Sequence, residues 1–234
     1  GYVSLDTDSC LYMLYDSTGH MQAAAATFMD DCIHVDTQAS CTVYRAMLQA
    51  DFETSGQDEV PTDFLGMQIT RDRKAGTLKI FQEKYIEKMA ERYGVGLPTS
   101  SRAPTPLLHT TKLDPAADNE EGCNPRLFRS ICGALQFASH CCRPDVSQSI
   151  KELCKHLIDP ALRHYKVAQQ CLSYLLATKD LGLTYTKHAI CGIHDCIVAP
   201  AVLEVFSDVL FTECMLTHWS TSGYVAMHCG AALL

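Results

Sequence analysis

The chain has 234 residues, 47% hydrophobic and 20% charged, with 19 Lys and Arg against 27 Asp and Glu for a formal net charge of -8. This is the make-up of an ordinary soluble globular protein with room for one large domain or two small ones. It argues against a membrane protein, because no run reaches the roughly 18 apolar residues a spanning helix needs, and against a secreted one, because residues 1–10 have neither a basic start nor an apolar stretch.

Thirteen cysteines, an odd number at irregular spacings, are expected as free thiols that pack in a reducing compartment. The negative total argues at first against a nucleic-acid partner, since phosphate binding runs on Lys and Arg. The distribution softens that exclusion. All 19 basic residues lie between Arg45 and Lys187, where 17 acids leave an excess of +2, while the first 44 residues hold six acids and the last 47 hold four, neither stretch with a base.

Taken in order, the apolar run at 23–29 and the alternating Cys32-Ile33-His34-Val35 fit two strands meeting at a tip that carries Asp30 and Asp31, although four consecutive alanines could as well open a helix. Adjacent carboxylates repel, and such a pair persists most easily where a divalent cation neutralises it. Phe64-Leu65-Gly66-Met67-Gln68-Ile69 and Leu78-Lys79-Ile80-Phe81 read as two strands around the polar stretch 71–77. They feed an amphipathic helix over 82–93, with Tyr85, Met89 and Tyr93 on one face and Gly94 as its stop. Residues 97–125, with five prolines, read as a long surface connection.

Three helical segments follow: one near 125–140, one opening at Pro144-Asp145 with Val146, Ile150, Leu153 and Leu157 on a face, and one over 161–177. Beyond Gly182 the pattern turns to short strands at 183–186 and 202–206. Between them His188, Cys191, His194 and Cys196 offer four zinc-type ligands, but at a spacing tighter than ordinary zinc fingers or ribbons, so a linker that happens to hold thiols is the stronger reading.

Several strings resemble copia-type retrotransposon Pol polyproteins, in that family's order. Phe28-Met29-Asp30-Asp31 is similar to the aromatic-x-Asp-Asp box of reverse transcriptases, with Asp8-Ser9-Cys10-Leu11-Tyr12 upstream of it. Phe64-Leu65-Gly66-Met67-Gln68-Ile69-Thr70-Arg71-Asp72 resembles the primer-grip strand, and 82–94 the first thumb helix. Phe128-Arg129-Ser130-Ile131-Cys132-Gly133-Ala134-Leu135, Arg143-Pro144-Asp145-Val146 and Ala177-Thr178-Lys179-Asp180-Leu181-Gly182 look like further signatures, and Phe206-Ser207-Asp208 with Ser220-Thr221-Ser222-Gly223-Tyr224 resembles the opening of the ribonuclease H domain.

The resemblance implies an α+β chain: a reverse transcriptase palm remnant over 1–81, a helical thumb and connection over 82–187, and the first strands of a ribonuclease H-like domain over 188–234. It implies an RNA-directed DNA polymerase that uses magnesium, or manganese, with an RNA or DNA template, a primer and deoxynucleotides, inside a larger Pol polyprotein and away from membranes. A cytoplasmic virus-like particle or the nucleus is the expected location. By motif match Asp30 and Asp31 are metal ligands, Asp208 is the first ribonuclease H carboxylate, and Phe64, Leu65, Gly66 and Met67 hold the primer end. The resemblance also sets a hairpin above a helix at Asp30 and Asp31.

A backbone-gripping role falls on Arg71, Arg73, Lys74, Lys79, Lys84, Lys88 and Arg92, which face only Asp72, Glu83, Glu87 and Glu91. No residue matches the other palm aspartate, Leu210 and Phe211 stand where the family has Asp and Trp, and Ala23 to Ala26 replace larger strand residues. The expectation is therefore an internal fragment, inactive by itself. The alternative is a non-catalytic binding or interaction protein domesticated from such an element, or a pseudogene product.

Overall fold

The computed structural model describes residues 1–36, 38–54, 61–96, 105–107, 113–187, 203–210 and 220–233. The chain divides into two compact units, Gly1–Leu65 and Gly66–Leu234. Residues 97–104 and 108–112 of the expected connection, and the cluster His188, Cys191, His194 and Cys196, lie outside the described residues. Mixed α and β structure is what the composition and patterning led to. Among the described residues no helix is long and apolar enough to cross a membrane.

The first unit is an antiparallel meander of β1 (Val3–Ser4), β2 (Leu11–Tyr15), β3 (Met21–Phe28) and β4 (Asp31–Val35), in that order, followed by helix α1 (Gln38–Asp51) and the two-residue strand β5 (Asp63–Phe64). The alanine run is thus a strand. Ala23 and Ala25, 2% and 3% exposed, alternate with half-buried Ala24 and Ala26 at the period of two that a strand imposes. Intrinsic helix preference loses here because β3 has a hydrogen-bonded neighbour on both sides, and the pairing decides the state of a short segment. Helix α1 covers the face of the sheet that carries His34: the Tyr44 ring stacks on the His34 imidazole at 4.0 Å and 9°, and the Cys41 thiol lies 3.5 Å from His34 Nδ1.

In the second unit β6 (Met67–Asp72), β7 (Thr77–Phe81) and β8 (Gly182–Thr186) form an antiparallel sheet in that order, with four helices between β7 and β8 among the described residues. These are α2 (Glu83–Tyr93), α3 (Pro125–Cys141), α4 (Ser147–Cys154) and α5 (Leu162–Ala177); a single 3-10 turn, Pro144–Val146, leads into α4. The expected single helix from Pro144 therefore starts as a tighter turn, since proline fixes the first residue but gives no N–H to the α ladder.

Each helix end has a local cause. Helix α2 stops at Gly94 (φ +63°), where Val95 N–H reaches Ala90 O at 2.8 Å and Gly94 N–H reaches Glu91 O at 3.2 Å. Helix α3 starts on Asn124, whose Oδ1 accepts the Arg126 N–H at 2.9 Å, with Pro125 at the first position. The apolar faces meet in one core around Ile86, Phe128, Ile131, Leu135, Leu153 and Leu172, all with no exposed surface. A second sheet, β9 (Leu203–Leu210), β10 (Thr221–His228) and β11 (Ala231–Leu233), is also an antiparallel meander, and it meets β8 through Leu183, Ala231 and Ala232.

Among the described residues the largest fully buried side chain is Arg143, 1% exposed. It donates to both carboxylate oxygens of Asp145 at 2.9 and 2.8 Å, to the Thr178 carbonyl at 2.9 Å and to the Thr178 hydroxyl at 2.8 Å. Partial burial pushes the Asp145 carboxyl up, yet the hydrogen bonds and charge of Arg143, with the Tyr174 hydroxyl, hold it below the usual carboxylate range. The stabilisation from Asp145 is therefore complete above its unfolded value near pH 3.9 and is lost as pH falls through the lower folded value.

Replacing Asp145 by Asn leaves a buried guanidinium without its counter-charge. The expected cost lies toward the lower end of about 3–5 kcal/mol, because the Asp145 side chain keeps 38% exposure; urea unfolding of the full chain measures it. Two glycines give opposite expectations. A Cβ on Gly182 would stand 2.2 Å from Ile80 O, so Gly182→Ala forces the β7–β8 pair apart and costs about 1–3 kcal/mol. Gly133, exposed in the middle of α3 with nothing within 4 Å, gains about 0.4–1 kcal/mol on becoming Ala.

Candidate functional site

Strands β3 and β4 are joined by the two-residue turn Met29-Asp30, with Phe28 opposite Asp31 in the register. Asp30 lies in the turn and Asp31 opens β4. Met29 has φ +55° and is 93% exposed, so a large side chain is held in the left-handed region where a hairpin turn wants glycine or asparagine. Both carboxylates are exposed. Cross-strand pairing puts Asp31 on the same face as Phe28, Ala26 and Ile33, the opposite face from the one α1 covers. That face is apolar beside the acid, with Phe28 54% and Val35 64% exposed.

The loop before β2 reaches the same end of the sheet: Thr27 N–H donates to Cys10 O at 3.0 Å, and Asp8 caps that loop by accepting the Cys10 N–H at 2.9 Å. Asp30 and Asp31 are oxygen donors of the kind a hard divalent cation takes, but no group of three His, Cys, Asp or Glu that could hold a metal ion occurs among the described residues. Asp30 and Asp31 are thus not joined by a third such ligand among the described residues.

Phe64 and Met67 flank a reversal rather than share one strand. Leu65 has φ +51° and Gly66 φ +76°, the backbone of a primed two-residue turn, so the expected continuous strand over 64–69 begins only at Met67. Phe64, Leu65 and Met67 are half-buried and Gly66 is exposed.

The seven bases do not form one surface. Arg73 and Lys74 sit in the β6–β7 turn, which Asp72 closes by accepting the Lys74 and Ala75 N–H groups at 2.8 and 2.9 Å. Arg71 and Lys79 point to opposite faces of the sheet, because Arg71 pairs with Leu78 and Lys79 with Thr70. Lys84, Lys88 and Arg92, four residues apart, make one exposed stripe on α2. Lys79 lies 5.0 Å from the Phe81 ring centre and the Arg92 guanidinium 5.4 Å from that of Tyr93.

Lys179, just after α5, is the base that charge counting missed. It bridges Glu83 at 2.7 Å and also Glu87, neutralising the two acids beside the stripe, and its own pKa is raised by those bonds. Its only signal in the sequence is its place in the Ala177-Thr178-Lys179-Asp180 string.

Asp208 lies on β9 opposite Gly223, exposed, with its Oδ1 accepting the Val209 N–H at 2.8 Å. Phe206, Ser207, Gly223, Tyr224 and Val225 line a shallow cavity of about 300 Å³ with it. Cys132, Cys142 and Cys171 are packing groups: burial pushes their thiols up to about 12, which leaves them without thiolate at neutral pH.

The structure is that of a mixed α/β protein, with an acidic hairpin tip in one unit and a cationic helical stripe in the other. Sequence similarity goes one step further. Over 99% of its length the chain is 25% identical to a retrovirus-related Pol polyprotein from transposon TNT 1-94 of Nicotiana tabacum. It is 29% identical over 69% of its length to an uncharacterised mitochondrial protein of Arabidopsis thaliana, and 27% identical over 72% to a Saccharomyces cerevisiae protein named for transposon Ty5-1. The chain spans 17% of the tobacco polyprotein and 60% and 50% of the other two. No protein-family profile and no solved structure matches it. These relatives support a protein derived from a transposon Pol polyprotein.

Because Asp30 and Asp31 are exposed at a turn, replacing both by Asn is expected to change stability by no more than about 0.5 kcal/mol. Urea unfolding of the double variant against the parent chain checks this, and a larger loss would give the pair a structural role.

Proposed function

We propose that the chain is a segment of the RNA-directed DNA polymerase of a copia-type retrotransposon, reaching into its ribonuclease H domain. The observation that carries the reading is the exposed Phe28-Met29-Asp30-Asp31 turn, with both carboxylates free of cation partners among the described ion pairs, in a chain similar to a Pol polyprotein over nearly its whole length. An exposed carboxylate pair without such a partner supports a role in holding a ligand.

In this reading Asp30 and Asp31 contribute oxygen ligands to magnesium, with the remaining ligands supplied by other parts of the polyprotein, by water and by the nucleotide phosphates. The bound ion would neutralise charge developing on the phosphoryl group during nucleotide addition. Phe64 to Met67 carry the primer end on the Leu65-Gly66 turn. Lys84, Lys88 and Arg92, beside the two acids that Lys179 neutralises, meet phosphates of the primer-template duplex, and Arg73 and Lys74 add to the grip from the β6–β7 turn. Asp208 belongs to the ribonuclease H portion.

Primer extension with magnesium or manganese tests the polymerase assignment, using this chain and a longer Pol polyprotein, each with and without Asp30→Asn and Asp31→Asn. Extension by the longer protein that is lost in its double variant is the expected result; extension that survives the double variant overturns the assignment of the pair.

Nucleic-acid binding is expected to be electrostatic and to weaken as salt rises. Changing Lys84, Lys88 and Arg92 to Gln should flatten the log-log salt dependence by about 0.9 for each phosphate that is no longer neutralised. Fluorescence anisotropy of a labelled primer-template at several salt concentrations reads that slope, and an unchanged slope removes α2 from the interface.

A further inference from the structure

Helix α2 is electrically balanced by its own residues. Glu83, Glu87 and Glu91 recur every four residues, and so do Lys84, Lys88 and Arg92, so the turn of the helix lays an acidic row beside the basic one. Three carboxylates against three cations leave the helix by itself with no net attraction for a polyanion. The two rows also interlock: Glu87 follows Lys84 by three residues and Glu91 follows Lys88 by three, the spacing at which side chains meet on a helix surface. A phosphate approaching the basic row therefore competes with the helix's own acids.

Lys179 alters that balance from outside the helix. Its Nζ pairs with Glu83 Oε1 at 2.7 Å and with Glu87 Oε1 as well, which ties two of the three carboxylates to the end of α5. The residue before it is held from several sides. The Thr178 carbonyl accepts from Arg143 at 2.9 Å and from the Leu181 N–H at 3.0 Å, and the Thr178 hydroxyl accepts from Arg143 and donates to the Tyr174 carbonyl, both at 2.8 Å. Lys179 thus springs from a fixed point of the backbone, and its bonds to Glu83 and Glu87 raise its pKa and keep it charged.

Stability does not account for the bridge. Side-chain exposure is 36% for Lys179, 35% for Glu83 and 49% for Glu87, and ion pairs so open to water add little to folding. What the bridge does decide is which cation the two carboxylates face.

We propose that Lys179 is a positioning residue for nucleic-acid binding: by occupying Glu83 and Glu87 it withdraws both carboxylates from competition with phosphate for the basic row of α2. This rests on the reading that α2 meets the primer-template duplex, and adds to it a residue that touches no phosphate yet sets the affinity.

Fluorescence anisotropy of a labelled primer-template with the full chain tests this in a cycle of four proteins: the parent, Lys179→Gln, the pair Glu83→Gln and Glu87→Gln, and all three changes together. The expected result is a loss of affinity of about two- to five-fold in Lys179→Gln at low salt, the worth of one exposed ion pair, fading as salt rises. Without Glu83 and Glu87 the same lysine change is expected to cost less than about 1.5-fold, because nothing is left for it to hold. An equal loss with and without the two acids would mean that Lys179 meets phosphate itself, and no loss in Lys179→Gln would mean that the bridge is idle; either overturns the proposal. Loss of the folded circular dichroism spectrum in Lys179→Gln would make the bridge structural and overturn it too. The salt slope of the chain with Lys84, Lys88 and Arg92 changed to Gln separates the two readings. If that slope flattens while Lys179→Gln binds like the parent, only the positioning role falls, and if it does not flatten, α2 leaves the interface and the role of Lys179 goes with it.

Discussion

A guanidinium with 1% exposure in the middle of a small helical body is the constraint around which the second unit is arranged. Arg143 is buried among apolar helices, and an unpaired charge there would cost more than the packing returns. Its five N–H donors must therefore be met from fixed directions. Asp145, two residues on, takes the fork, and the Thr178 carbonyl and hydroxyl at the end of α5 accept two more, so that four of the five are met. Tyr174 closes the set by donating to Asp145 at 2.9 Å. The register of α5 against the α3–α4 corner is fixed by this chain of bonds, since sliding α5 by one residue would move Thr178 away and leave the arginine short of acceptors. Two strings of sequence 35 residues apart are thus halves of one structural device.

How much of this was legible beforehand depended on whether the deciding interaction was local. Helix α2 could be read because Tyr85, Met89 and Tyr93 repeat at helical spacing and Gly94 ends it, and the segment near 125–140 because it is helical over its length, its start on Asn124-Pro125 being supplied by the structure. Helix α1 was not read: Thr42 and Val43 lie within it, neither its first nor its last turn carries a favourable charge, and its contact with the sheet depends on Tyr44 meeting His34. The alanine strand was ambiguous by composition and settled only by neighbours on both sides. At the site, the Asp30-Asp31 pair was visible as a motif. The split of the basic residues was not, because two sheet faces separate Arg71 from Lys79 and Glu87, a partner of Lys179, lies 92 residues before it.

Electrostatics in this protein is therefore a matter of placement. A total of -8 describes no surface of it. In the first unit one acid is spent internally: Asp16 accepts from Thr18, His20 and Gln22, and these bonds hold its carboxyl low. Asp30 and Asp31 have no comparable internal use. In the second unit the opposite trade occurs, where Lys179 occupies Glu83 and Glu87 beside the exposed row of Lys84, Lys88 and Arg92. Screening over about 8–10 Å at ordinary ionic strength makes such local arrangements count for more than the sum over the chain.

The pairing of β7 with β8 bears on how the chain is made. Phe81 and Gly182 are register partners, so the whole four-helix body is an excursion that leaves a strand and returns to the position beside it about a hundred residues later. A ribosome delivers residues at roughly 5–20 per second. Strand β7 would therefore wait between five and twenty seconds for its neighbour, offering an open edge to any passing strand. Arg143 meets Asp145 almost at once but Thr178 only near the end of that interval. The β6–β8 sheet and the buried arginine are completed within a few residues of each other, which makes the emergence of residues 178–186 the moment at which the helical body and its sheet can first close.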